Sequence, residues 1–481
     1  MDKSSAAPKP ALPEWLVVGF SGHRNIPDPV AVAAKIGEEL DRLAAEHGSL
    51  AVVSSAARGA DTLFLEEAAK RKLPTIIILP NERGEFETSF SSVDLGRVRP
   101  LLEGALRVEE ISATGDDAYL EAGERTIDLA EVVLLVWDGN ESAGPGGTGD
   151  AAKHAELTGK PCIHIERDTL AVERTNFEKW RRKGKKFSAA RSGEPRKALE
   201  EFIVAADKAA RADAWWTREL VLVLILIHLV ASATGMCVPV FQSSQNTAIA
   251  CSTVELLLLL LAASVLVRKH HRRHSHWLSG RIEVEVCRSC KATWDLTGQF
   301  RTFGVTPFPG YEPLFNNLRL LRAQDTSQTA DVDGIRNQYL HDRVKDQITY
   351  FEKEWKLAKS RLALLSLVVA ATTSGALTMT AITLWLHWLG REDVWSHIAK
   401  YLSLVLPLVS AAVFSFILTN EYARRKERYD EMVQFLKEVE SRLVVIKTPG
   451  ALARIASKTE EVLLREVIEW HSFTRFAGRL H

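Results

Sequence analysis

Three glycine-bearing stretches in the first third of the chain have the residue types to close around a phosphate. They are Ser21-Gly22-His23-Arg24, Ala57-Arg58-Gly59-Ala60-Asp61 and Gly146-Gly147-Thr148-Gly149. Glycine lets backbone N–H groups approach an anion, and a helix that begins just after adds its partial positive charge. His23, Arg24 and Arg58 would add side-chain donors on the same face. The candidate ligand-binding residues are Gly19, Ser21, Gly22, His23, Arg24, Ser55, Arg58, Gly59, Asp61, Asp138, Gly146, Gly147, Thr148 and Gly149. No Walker-type G-x-x-x-x-G-K-S/T run occurs, and the loops are read as lacking the G-x-G-x-x-G dinucleotide spacing. The expected chemistry is recognition of a nucleotide-like, phosphate-bearing ligand, with no cofactor. No metal site is expected either. Cys287-Arg-Ser-Cys290 with His270, His271, His274 and His276 nearby offers zinc-type donors, but a second C-x-x-C is missing.

The elements that must hold these loops alternate. Apolar runs at 15–20, 49–55, 75–79, 131–137 and 160–165 read as strands, with helical patterns at 30–45 and up to about 72. Such alternation predicts a parallel sheet with helices on both faces, a Rossmann-like α/β domain. Ligands of such sheets bind at the carboxyl ends of the strands, where all three glycine loops fall.

The rest of the chain has a different character. A bilayer core about 30 Å thick takes roughly 20 apolar residues in a helix. Residues 220–241, 248–267 and 362–389 meet that length, and 401–418 is shorter and carries Pro407. Together they predict an all-α transmembrane region of four spans in two hairpins with cytoplasmic helices. Basic residues set the orientation. Arg211, Arg218, the run 268–274, Lys356, Lys359, Arg361 and Arg424, Arg425, Lys426 and Arg428 flank the inner ends. The loop QSSQNT has none, so both termini are expected in the cytoplasm of an inner-membrane protein. Lysine plus arginine equals aspartate plus glutamate, 61 each, so overall charge gives no reason to expect nucleic acid. Five scattered cysteines exclude a disulfide framework, and the first fifteen residues contain no apolar signal-peptide core.

Domain boundaries follow: 14–168 for the α/β domain, 169–214 for a basic linker and helix, 215–300 and 335–478 for the two hairpin units. Within the linker, the run 180–186 reads as solvated basic chain near anionic lipid. The two hairpins look like diverged copies, each preceded by an aromatic-bearing helix and followed by a charged one. In the last of these, Tyr422, Tyr429, Met432, Phe435, Leu436, Val439 and Leu443 fall on one face and predict packing on a neighbouring helix. The turn-rich TFGVTPFPGYEP and the polar AQDTSQTADVDG read as a connection. Glu255, an ionisable residue inside a span, is a functional candidate. His228 and Thr372-Thr373-Ser374 are expected at helix–helix contacts.

The segments GFSGHR, SSAARGAD, LPNERGEFETSF and AEVVLLVWDGNESAGPGGTGDAAKHA resemble the SLOG superfamily over about residues 14–166. That group is related to the DprA and LOG proteins and includes nucleotide-derivative sensors of bacterial defence systems. The resemblance implies a cleft built by Gly22, His23, Arg24, Arg58, Gly59, Asp61, Gly147 and Thr148. The membrane half resembles the SLATT-type two-helix effector domains found beside such sensors. LOG-type phosphoribohydrolases carry P-G-G-x-G-T-x-x-E; here Pro145 to Lys153 alters the spacing and lacks the glutamate, with Glu156 further on. Asp150 and Asp138 are the nearest carboxylates, and glycosidic chemistry needs a well-placed one. The expected function is a membrane-anchored sensor–effector. A nucleotide-derived messenger would bind the cleft and gate a pore or perturb the membrane, in a homo-oligomer. A membrane-tethered nucleoside monophosphate hydrolase is the alternative.

Overall fold

Strand β1 (Leu16–Gly22) is buried almost throughout and pairs on one side with β2 (Leu50–Ser54) and on the other with β5 (Val132–Trp137). This computed structural model describes residues 12–142, 144–180, 182, 184–188, 194–241, 244–296, 311–325, 331–391 and 393–477. Side chains are described there except in 210–221, 264–279, 312 and 470–477. Most of the expected connection (302–310 and 326–330) lies outside the described residues, as do the side chains of Trp215, Trp216, the run 268–274 and the nearby histidines. Contacts divide the chain into two units, Met1–Phe202 with Phe303–Gln328, and Ile203–Thr302 with Thr329–His481.

In the first unit, β3 (Thr75–Leu79), β4 (Arg107–Glu110), β6 (Cys162–Glu166) and β7 (Val172–Thr175) complete a seven-stranded sheet of order β4-β3-β2-β1-β5-β6-β7. All pairings are parallel except β6 with β7. Alternate residues of a strand face opposite ways. Leu16, Val18 and Phe20 join α1 (Pro29–His47) and α2 (Ala60–Lys70) in one core, and Phe20 stacks on Phe64 at 4.3 Å. Gly19 faces the other side, where a Cβ would meet that of Ala130 at 2.5 Å, at the end of α5 (Asp116–Leu129). Helix α6 (Thr148–Leu157) follows β5, while α3 (Arg83–Thr88) and α4 (Ser92–Gly104) lie between β3 and β4.

Strands β4 and β7 were not expected, because RVEE and VERT are too short and charged to show an apolar strand pattern. Both are edge strands, where charge is tolerated and discourages further pairing. The basic run is corrected in part. Arg182 pairs with Glu131 at 2.7 Å and lies over the Phe187 ring, Lys185 pairs with Glu14, and Phe187 is buried in the core. Trp180, Arg182 and Phe187 thus pack on the unit, while Gly184, Lys185 and Lys186 stay exposed, as expected of a solvated run.

The second unit is helical. Helices α7 (Pro195–Val240) and α8 (Gln245–Ala292) form the first hairpin. After α9 (Glu312–Ala323), which belongs to the first unit, come α10 (Val332–Tyr339), a π-helical turn (Leu340–Lys345), α11 (Asp346–Trp388) and α12 (Val394–Thr419). Among the described residues four helices are long and apolar enough to cross a membrane, and their apolar side chains, among them Leu256, Leu260, Leu367 and Leu384, stand exposed. Lipid would solvate them where water would not. The last span is longer than the sequence suggested. Asp393 caps α12 by accepting from the Ser396 N–H, so the helix starts before its apolar stretch and runs 26 residues. In α13 (Tyr422–Val445) the expected stripe is buried against α11 and α14 (Pro449–Ala477), with Phe435 partly so.

Candidate functional site

Because β1 sends one connection to β2 and receives β5 on its other flank, the strand order reverses between β1 and β5. Outside the carboxyl ends of strands at such a reversal is where open α/β sheets bind ligands. Gly22 stands beside Val136 in register, so the residues after the two strands converge there. His23 Nε2 lies 3.0 Å from Asp138 Oδ1, and Arg167 approaches the other oxygen at 3.6 Å. The Asn140 backbone N–H, and then His23, hold the Asp138 carboxyl well below the usual range, so it is a fixed negative charge.

Asp61 sits beneath this pair in the first turn of α2 and is almost wholly buried. It accepts from the Gly22 N–H at 3.1 Å and the Ser54 hydroxyl at 2.9 Å. Burial pushes its carboxyl up to about 7, against these two donors, Arg24 and the Ser55 N–H. Asp61 therefore ties the ends of β1 and β2 to the start of α2. Gly59 caps α2 at φ +88°, where an added Cβ would strike the carbonyls of His23 and Arg24. The Ala60 N–H donates to the His23 carbonyl at 3.0 Å.

The glycines of the β5–α6 loop serve the chain's own packing. Gly146, at φ +77°, lies against the Tyr119 backbone, while Gly147 and Gly149 close on Ser142. Asp150 accepts from the Gly146 N–H at 3.0 Å and donates its own N–H to the Ser142 hydroxyl at 2.8 Å. Contrary to expectation, Gly144, Gly146 and Gly149 do stand at the G-x-G-x-x-G spacing. They follow β5, however, and not the first βα turn where that fingerprint cradles a pyrophosphate. Gly59 before α2 supplies no capping side chain, whereas at the start of α6 the Ser142 hydroxyl already takes the Asp150 N–H. Arg58 is exposed, and Arg24 lies 5.9 Å from the Tyr119 ring centre.

The structure thus gathers Ser21, Gly22, His23, Arg24, Ser55, Arg58, Gly59, Asp61, Asp138 and the 146–149 loop at one end of the sheet, and leaves Gly19 inside a helix–strand contact. The sequence reading missed Arg167, Tyr119 and Ser142, which carry no motif of their own.

In the helical unit, Glu255 lies against Gly235 of α7; a Cβ there would come within 2.5 Å of a carboxylate oxygen. His228 Nδ1–H donates to Leu224 O of its own helix at 2.8 Å. Tyr401 donates to Ala233 O at 3.1 Å, and Thr373 and Ser410 join α11 to α12 at 2.9 Å. Cys287 and Cys290 are buried in α8.

A second charged cluster escaped the sequence reading entirely. Arg343, in the π-helical turn, places Nη2 2.7 Å from both Glu285 of α8 and Glu460 of α14, and Tyr339 donates to Glu460 at 2.9 Å. Arg288 adds contacts to Glu285 and to Asp207 of α7. Burial opposes charge on Glu285, yet Arg343 and then Arg288 hold its carboxyl below the ordinary range. The partners are 58 and 117 residues away, beyond the reach of any local pattern.

No curated protein matches the chain. Residues 339–470 match the family model described as SMODS and SLOG-associating 2TM effector domain 1; with the four helices among the described residues that are long and apolar enough to cross a membrane, this match supports a membrane protein.

Proposed function

We propose that the chain is a cytoplasm-facing sensor joined to a membrane effector, in which a nucleotide-derived messenger binds the β1/β5 crevice and triggers a pore or a loss of membrane integrity. The observation that carries this reading is the fixed Asp138–His23 pair beside exposed Arg58, at a strand-order reversal, in the same chain as the matched 2TM effector domain. The start of α2 without a side-chain cap and two arginines favour an anion, and the resemblance to SLOG sensors makes a nucleotide the natural class. Basic residues at the inner ends of the spans support placing both termini, and hence the crevice, in the cytoplasm of an inner-membrane protein. Assembly of several copies is part of the proposal, because four helices enclose no roomy channel. A ligand shifts such a system only if it prefers one assembly state. The hydrolase alternative draws less support, since Asp150 holds its own loop and Asp138 its histidine. Membrane potential in cells expressing the wild type and Arg58→Ala tests the proposal. Depolarisation is expected in the first and not the second; equal depolarisation at equal protein level would overturn gating through this crevice.

A further inference from the structure

At the opposite, amino end of the same sheet lies a charge imbalance that the crevice does not use. Helix α9 packs there through Asn316, which donates to Leu129 O at 3.0 Å, and Asn317, which accepts from the Trp15 N–H at 2.8 Å. Leu318, Leu320 and Leu321 are buried, so α9 is seated firmly enough to fix the residue between them. That residue, Arg319, lines a crevice with Arg107, Glu109, Val17 and Ile76.

Among the described residues Glu109 is the only acidic one lining it, and it is already engaged. Arg125 contacts one of its oxygens at 2.9 Å and Arg107 the other at 3.2 Å. Arg319 makes no hydrogen bond or ion pair among the described residues. Three guanidinium groups thus share one carboxylate. Burial and the neighbouring Arg125 and Arg107 push the Arg319 group down to about 10, the direction expected for a cation short of an anion. Arg319 is half-buried, and a guanidinium partly withdrawn from water without an acceptor leaves a fork of N–H donors that matches an oxyanion in two places at once. The enclosed part of the crevice measures about 10 Å³, room for one oxygen-sized group. A whole nucleotide does not fit there, but one vertex of a phosphate does.

We propose that Arg319 and Arg107 form a second, oxyanion-binding site at the amino end of the sheet, which takes a phosphate group and thereby clamps α9 to the α/β unit. The site is independent of the nucleotide crevice and of its proposed role. Its occupant is either free phosphate or the terminal phosphate of a small metabolite.

The test is thermal unfolding of the full-length protein in detergent, with inorganic phosphate titrated against sodium chloride of equal ionic strength and, in a second arm, with AMP. The expected result is a phosphate-specific rise in Tm in the wild type and in Arg58→Ala, lost in Arg319→Gln. Arg319→Lys keeps the charge but not the fork, and should retain its Tm in chloride while losing at least half of the rise. A rise from AMP that also disappears in Arg319→Gln assigns the occupant to a terminal phosphate; a rise from phosphate alone assigns it to the free ion. The same rise in Arg319→Gln or in Arg319→Lys as in the wild type, or no rise beyond chloride in the wild type, overturns the proposal.

Discussion

Arg343, Glu285 and Glu460 have side chains 5%, 11% and 1% exposed, whereas His23 and Asp138 keep 28% and 18% of theirs open to solvent. The first group joins three helices that are far apart in sequence and satisfies its charges internally. The second is assembled from two loops and leaves a face turned outward. Removing a sealed charge strands its partners in a low-dielectric interior. Removing an open one leaves them to water. The difference separates a cluster that holds the helical unit together from a pair that stays open to solvent.

The largest expected effect breaks the sealed side of the comparison. Arg343→Ala should cost about 3–5 kcal/mol of stability, because two buried carboxylates lose their common partner. Denaturant unfolding of the full chain in detergent would measure it; a loss below about 1 kcal/mol would place the cluster with ordinary surface pairs.

Asp61 lies between the two kinds, buried yet part of the crevice. Its folded carboxyl titrates at about 7, raised by burial from an unfolded value near 3.8. The folded state then binds the extra proton, so this stability is full below about 4 and fades as pH climbs through about 7. A decline on the order of 1–3 kcal/mol over that window is expected in the wild type and should flatten in Asp61→Asn. Parallel pH–Tm curves for the two proteins would contradict it.

Gly59→Ala should cost about 1–3 kcal/mol, since φ +88° and the two facing carbonyls both resist a side chain. His23→Ala sharpens the comparison from the open side. Its pair with Asp138 is partly solvated, so the stability loss should stay under about 1 kcal/mol while ligand response falls. A loss as large as that of Arg343→Ala would mean that the crevice is structural.

Much of this was legible in the sequence, for physical reasons. Interior strands of a parallel sheet are buried on both faces, so WLVVGF and EVVLLVW announce themselves, as do spans that must match a bilayer. The loop residues of the crevice were legible because glycine at a strand end has few other uses. Yet Gly146, Gly147 and Gly149 turned out to accommodate Tyr119 and Ser142. Glycine marks a close approach without saying what approaches. Edge strands β4 and β7 stayed hidden because edges need charge more than hydrophobicity. The Arg343 cluster and Arg319 stayed hidden because their meaning lies in distant partners, or in the lack of one.

The most direct test of the central claim is a nucleotide screen on the full-length protein in detergent, read as thermal stabilisation of the wild type and of Arg58→Ala. Arg58 is exposed and makes no ion pair among the described residues, so its removal should leave basal stability within about 0.5 kcal/mol. The account predicts that at least one nucleotide-derived compound stabilises the wild type, by about 2.7 kcal/mol at a hundredfold excess over Kd, and that the variant loses this response. No stabilisation by any nucleotide, or equal stabilisation of both proteins by every compound that acts, would contradict it.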